Sequence, residues 1–140
     1  MYNSTILSSK DITEIINQKG REKGIEVTHI EIDNGIIFSG RLFSKINSNF
    51  SGFVYIKEVY NNQIILETRN LNISKLGKLK GASVILLKSI LKFLGEDYIN
   101  ISGNNIIIKL DKYDGEIKDV YIKDKLLYII GTNLDMYLDA

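Results

Sequence analysis

A chain of 140 residues, 44% hydrophobic and 25% charged, has the material for one globular domain spanning 1–140 with a real core. Its net charge of +1 excludes a general nucleic-acid footprint, so any basic function must come from a local patch. The lack of cysteine excludes disulfides and thiolate chemistry, and one histidine, His29, cannot make a multi-histidine metal site.

No apolar run approaches the roughly 18 residues of a membrane span. Residues 1–11 lack a basic region followed by an apolar one, so no secretory signal is expected. The expected location at synthesis is cytoplasmic, with release by lysis or a non-standard route left open. Proline is absent, arginine is rare beside lysine, and Ile, Asn and Lys abound, as in an AT-rich bacterium. The sequons at Asn3, Asn72 and Asn100 follow from that bias and carry no weight.

The first predicted element is a helix. Ser8 with Asp11 forms a capping-box pair, Leu7 with Ile12 fits a hydrophobic staple, and Ile12, Ile15 and Ile16 make a narrow apolar stripe. Gly20 and Gly24 end it. Residues 25–33 alternate in part, Ile25 with Val27 and Ile30 with Ile32, and the phase change near His29 predicts a bulge. Asn34-Gly35 is a two-residue hairpin signal, with 36–42 as the return strand. Residues 43–51 read as a loop. Residues 52–60 form a strand apolar on both faces, and Asn61-Asn62 turns into a long return strand, 63–73.

Residues 74–95 come next, with five lysines and no acid. Their second half predicts a helix capped by Ser83 and stopped by Gly95. At about 100° per residue, Val84, Leu86, Leu87, Ile90, Leu91, Phe93 and Leu94 fill half of its surface. Lys88, Ser89 and Lys92 lie opposite, with Ile85 among them. That stripe is nearly twice the roughly 100° needed to cover one sheet face. Either the helix is buried on two sides, or part of the stripe faces a lipid, a groove or a partner.

Strands follow at 98–102 and 106–110, turning at 103–105, and at 117–123 and 126–130, turning at Asp124-Lys125. Residues 131–140 are expected to fray. Each half of the chain thus reads as one helix followed by two hairpins. The expected fold is α+β, a curved antiparallel sheet of about eight strands packed with two helices.

No catalytic motif stands out, and the expectation is a non-enzyme without metal or cofactor. Residues 77–81 are basic and glycine-containing but match no phosphate-binding loop. Amides at 81–84 would start a helix and can receive an anion. His29 reads as a half-buried, hydrogen-bonded strand histidine. Asp111, Asp114, Glu116 and Asp119 lack calcium-loop spacing and are interrupted by Lys112 and Lys118, so they read as an exposed hairpin of mixed charge.

The element order, with "SSKDITEIINQ", "VTHIEIDNGIIFSG", "NNQIILETRNLNISKLGKL" and "YINISGNNIIIKLD", resembles the tubular lipid-binding (TULIP) superfamily. Within it, the chain is similar to the accessory proteins of orfX-type clostridial neurotoxin gene clusters. The resemblance implies a helix lying in a curved sheet, with lipid between them, and work beside larger protein partners. It implies binding of anionic phospholipid or phosphoinositide headgroups or a membrane surface. The candidate headgroup residues are Lys75, Lys78, Lys80, Lys88 and Lys92, and the candidate apolar groove is Leu86, Leu87, Ile90, Leu91 and Leu94. The alternative is a protein-interaction subunit that docks on a larger partner without lipid.

The helix reading makes one direct prediction. Leu91→Asp places an unpaired charge at the centre of the apolar arc and should destabilise the domain by about 3 kcal/mol or more. An unchanged melting temperature would show that this residue is not packed.

Overall fold

Local chemistry starts the fold as the sequence predicts. The computed structural model describes residues 2–43, 47–73, 99–110 and 114–134. Helix α1 (Ser9–Gly20) is closed by a full capping box: the Asp11 amide donates to Ser8 Oγ, and the Ser8 amide donates to Asp11 Oδ2 at 2.9 Å. The second of these bonds holds the Asp11 carboxyl below its ordinary pKa, with help from the Ser8 hydroxyl and Lys10. A 3₁₀ turn (Arg21–Lys23) continues the helix, and Gly24, left-handed at φ 81°, ends it.

Nine strands form among the described residues, one before the helix and eight after it: β1 (Asn3–Leu7), β2 (Ile25–Ile32), β3 (Ile36–Leu42), β4 (Ser48–Tyr60), β5 (Gln63–Ile73), β6 (Ile99–Ser102), β7 (Asn105–Lys109), β8 (Ile117–Lys123) and β9 (Leu126–Gly131). All pairings are antiparallel. The α+β class stands. The single curved sheet does not: the strands form a six-stranded sheet, β2-β3-β4-β5-β7-β6, and a three-stranded sheet, β1-β9-β8. The four predicted hairpins are all present.

Three corrections concern boundaries. Strand β1, which lacks a clear alternating signal, forms because Asn3 to Leu7 pair with Gly131 to Leu127. Strand β4 begins inside the predicted loop, since Phe50 is a core residue only 2% exposed. The expected fraying does not begin at Gly131, which ends β9, and Leu134 is buried in the core. The helix predicted between Ser83 and Gly95 lies outside the described residues.

The turns divide the work unexpectedly. Left-handed pairs occur at Asn61-Asn62 (φ 50° and 57°) and Asp124-Lys125 (φ 54° and 63°), the geometry of tight hairpins. Asn34-Gly35 does not supply such a pair; residues 33–35 form a three-residue loop closed by the Asp33 amide on the Gly35 carbonyl at 2.9 Å. Gly35 is required for room instead, because a Cβ there would meet the Phe53 ring and the Val54 carbonyl.

Two apolar clusters fill the interior. Ile25, Val27, Ile30, Ile32, Leu42 and Phe50 are covered by Ile12 and Ile16 of α1 and by Ile122 of β8. Leu110, Ile117, Val120 and Leu134 pack with Ile56, Val59, Ile64, Ile108, Leu127 and Ile129. The second cluster therefore joins the inner faces of both sheets. Burial of this kind is worth about 25 cal/mol per Å² of apolar surface.

Two asparagines secure the sheet edges. Strands β2 and β8 are both edge strands. Asn17, buried in α1, donates from Nδ2 to the Val27 carbonyl at 2.9 Å and accepts the Val27 amide at 2.7 Å. Asn62 accepts the Ile117 amide at 2.8 Å and donates to the Gly115 carbonyl at 3.1 Å. Its own carbonyl takes the Leu110 amide at 2.9 Å. Each carboxamide stands in for a neighbouring peptide, satisfying groups that an edge leaves open.

Asn62→Gly keeps the left-handed backbone but removes the carboxamide, leaving the Ile117 amide without its partner. Denaturant unfolding should show a loss of about 1–3 kcal/mol. A change within experimental error would remove Asn62 from its role between the sheets.

Candidate functional site

The sequence-predicted site residues divide by position. Lys75, Lys78, Lys80, Lys88 and Lys92, with Leu86, Leu87, Ile90, Leu91 and Leu94, all lie outside the described residues. Their attachment points are described. Ile73 ends β5 and Ile99 begins β6, and both strands belong to the six-stranded sheet. Ile99 pairs with Ile108, which pairs with Ile64, so the two ends differ by nine residues of register. At about 3.3 Å per residue that is roughly 30 Å along the sheet.

The β2–β5 half of that sheet carries an unpredicted feature beside Ile73. Register places His29, Ser39, Ser51 and Asn72 in one row across β2, β3, β4 and β5. These side chains point away from the core, because the alternate positions Ile30, Phe38, Phe50 and Leu71 belong to the first apolar cluster. Thr28, Ser39, Gly40, Asn49, Phe50, Ser51 and Asn72 line an open hollow of about 470 Å³ along this row.

Backbone irregularities converge on it. The ladder shifts register between Val27 and His29, where the sequence predicts a bulge, so Thr28 and His29 are both exposed. The half-buried, hydrogen-bonded histidine is therefore corrected: the extra residue turns His29 to the surface. A second shift, between Ser51 and Phe53, places an extra residue in β5, where Asn70 is left-handed at φ 55°. Opposite the first bulge, Gly40 packs so close that a Cβ would run into the Glu26 carbonyl and the Phe50 ring.

Charges flank the hollow without lining it. Glu26 binds Arg21 at 3.3 Å and Arg41 at 3.2 Å, and the Arg41 guanidinium lies over the Phe43 ring. On the other side Arg69 lies 4.8 Å from the Tyr55 ring centre and donates to the Tyr55 hydroxyl at 3.1 Å. The Thr28 hydroxyl donates to the Ser39 carbonyl at 3.3 Å. The Ser39 and Ser51 hydroxyls and the Asn72 carboxamide form no hydrogen bond to another described residue.

The acidic hairpin is a separate feature. Asp114, Glu116 and Asp119 are exposed, and no group among the described residues has the acids and histidines to hold a metal. Glu116 accepts the Tyr2 hydroxyl at 2.8 Å, a bond that raises the Tyr2 pKa, and Lys118 covers the Tyr2 ring. Asp111 and Tyr113 lie outside the described residues. No described helix is long and apolar enough to cross a membrane. Comparison with family models, curated proteins and solved structures finds no match.

The polar row had a partial signal in the sequence. A turn centred on Asn34 brings residue 39 opposite residue 29, whereas bringing Ser51 and Asn72 alongside needs strand boundaries that only the fold defines. Gly40→Ala tests the close approach beneath the row. It should cost about 3 kcal/mol in denaturant unfolding by forcing β2 from β3. Wild-type stability would mean that the strands have room there.

Proposed function

We propose that the chain is a non-enzymatic, TULIP-like lipid-binding module that engages anionic phospholipid or phosphoinositide headgroups, serving as an accessory factor beside a larger toxin assembly. The observation that carries this reading is residues 74–95: Lys75, Lys78, Lys80, Lys88 and Lys92 without one acid, in a chain of net charge +1. The apolar groove assigned to Leu86, Leu87, Ile90, Leu91 and Leu94 receives the acyl chains.

Physical chemistry supports the lysines as a headgroup contact. Each lysine near an anionic membrane contributes about 1 kcal/mol, so Lys75, Lys78 and Lys80 together contribute over a hundredfold in affinity. The strands that flank the stretch, β5 and β6, belong to one sheet, with their ends roughly 30 Å apart in register, and tethering at both ends lowers the entropy lost on binding.

A second reading rests on a different observation. Tyr2, Ile6, Ile37, Phe43 and Tyr60 are large apolar side chains, each about 39–49% exposed. They favour a protein-interaction subunit that docks on a larger partner without lipid.

The triple variant Lys75→Glu, Lys78→Glu, Lys80→Glu should stay folded and lose about a hundredfold in affinity for anionic liposomes at low salt. Wild-type binding should fall steeply as salt rises. Equal binding by the variant overturns the headgroup site. Absence of wild-type binding leaves the protein-partner reading in its place.

A further inference from the structure

Beyond the lysine stretch, we propose that the hollow beside Ser39, Ser51 and Asn72 is a saccharide site that takes a neutral sugar ring, either of a free glycan or of a glycolipid headgroup. No charged side chain among the described residues lines it. Among the described lining residues a phosphate or carboxylate finds no cation, and a divalent cation finds no carboxylate. An apolar ligand would strip water from five hydroxyl or carboxamide side chains, while the Phe50 ring packs into the core on the other face.

A sugar ring reverses that balance. Its hydroxyls donate and accept, as do those of Thr28, Ser39 and Ser51, while the carboxamide of Asn72 offers a donor and an acceptor side by side. Its C–H face can lie on the backbone at Gly40, which carries no side chain. The row crosses four strands about 4.8 Å apart, so its side chains reach successive hydroxyls of one ligand. A volume of about 470 Å³ is within the range of small-molecule sites.

The row is also ready before a ligand arrives. The Ser39 and Ser51 hydroxyls and the Asn72 carboxamide have no hydrogen bond to another described residue to give up. Two bulges and a glycine that tolerates no side chain shape the sheet at this level. Bulges at such places commonly re-aim side chains toward a ligand. An open, shallow site of this kind binds a single ring with affinity of about 1 mM.

The ¹⁵N-labelled full chain would be titrated with glucose, galactose, mannose and N-acetylglucosamine to about 50 mM, well above that affinity. In parallel it would be mixed with phosphatidylcholine vesicles with and without galactosylceramide. Saturable shifts at the amides of residues 39, 51 and 72 with at least one sugar are expected. Ser51→Tyr, which fills the hollow, and Asn72→Ala, at an exposed position, should each weaken binding at least tenfold. The Lys75, Lys78 and Lys80 triple variant should bind the sugar as wild type does, which separates this site from the anionic-lipid reading. Binding to free sugar assigns a glycan, and binding only to glycolipid vesicles assigns a headgroup. The proposal is overturned if neither sugar nor glycolipid binds. It is equally overturned if folded Asn72→Ala and Ser51→Tyr bind as wild type, or if inorganic phosphate occupies the hollow instead.

Discussion

An asparagine at a hairpin tip holds the two sheets together. Asn62 sits in the left-handed region, which costs little for asparagine and more for most other residues. From there its carboxamide pairs with the Gly115 carbonyl and the Ile117 amide, while its backbone carbonyl takes the Leu110 amide. Leu110 ends the part of the chain that follows the large sheet, and Ile117 opens the small one. Both are core residues, 5% and 4% exposed. The apolar cluster between the sheets therefore forms only where this turn receives the chain, and a misplaced turn would leave buried peptide groups unpaired.

Asn17 solves the same problem at the opposite edge. An edge strand exposes peptide groups that attract other strands. Helix α1 lies along β2, and the Asn17 carboxamide occupies the place a further strand would take at Val27. The bulge begins at this same residue, and Gly40 opposite it lets β3 approach. One consequence is on the far face, where Thr28 and His29 both turn outward and open the polar row. A single local irregularity thus links helix docking to the shape of the surface hollow.

Much of this was legible in the sequence wherever the determinant was local. The Ser8 and Asp11 capping box, the four hairpins and the bulge at His29 follow from neighbouring residues and period-two patterning. What was not legible depends on distant partners. Strand β1 exists because β9 offers it an edge, and the junction of the two sheets includes a contact between Asn62 and residues more than fifty positions away. Asn34-Gly35 gave the right hairpin for the wrong reason, since Gly35 answers to the Phe53 ring rather than to a left-handed turn. The lysine stretch was legible as composition, while the row through Ser39, Ser51 and Asn72 needed three registers at once.

Amide hydrogen exchange at Val27 and Ile117 tests the claim that two carboxamides complete the edges. Both amides face outward from edge strands, where solvent would normally exchange them quickly. With Asn17 and Asn62 in place, they should exchange as slowly as amides inside the ladders, such as those of Ile106 and Ile129 on the central strands β7 and β9. Exchange at the rate of exposed edge amides, in a protein whose core amides remain protected, would contradict the account.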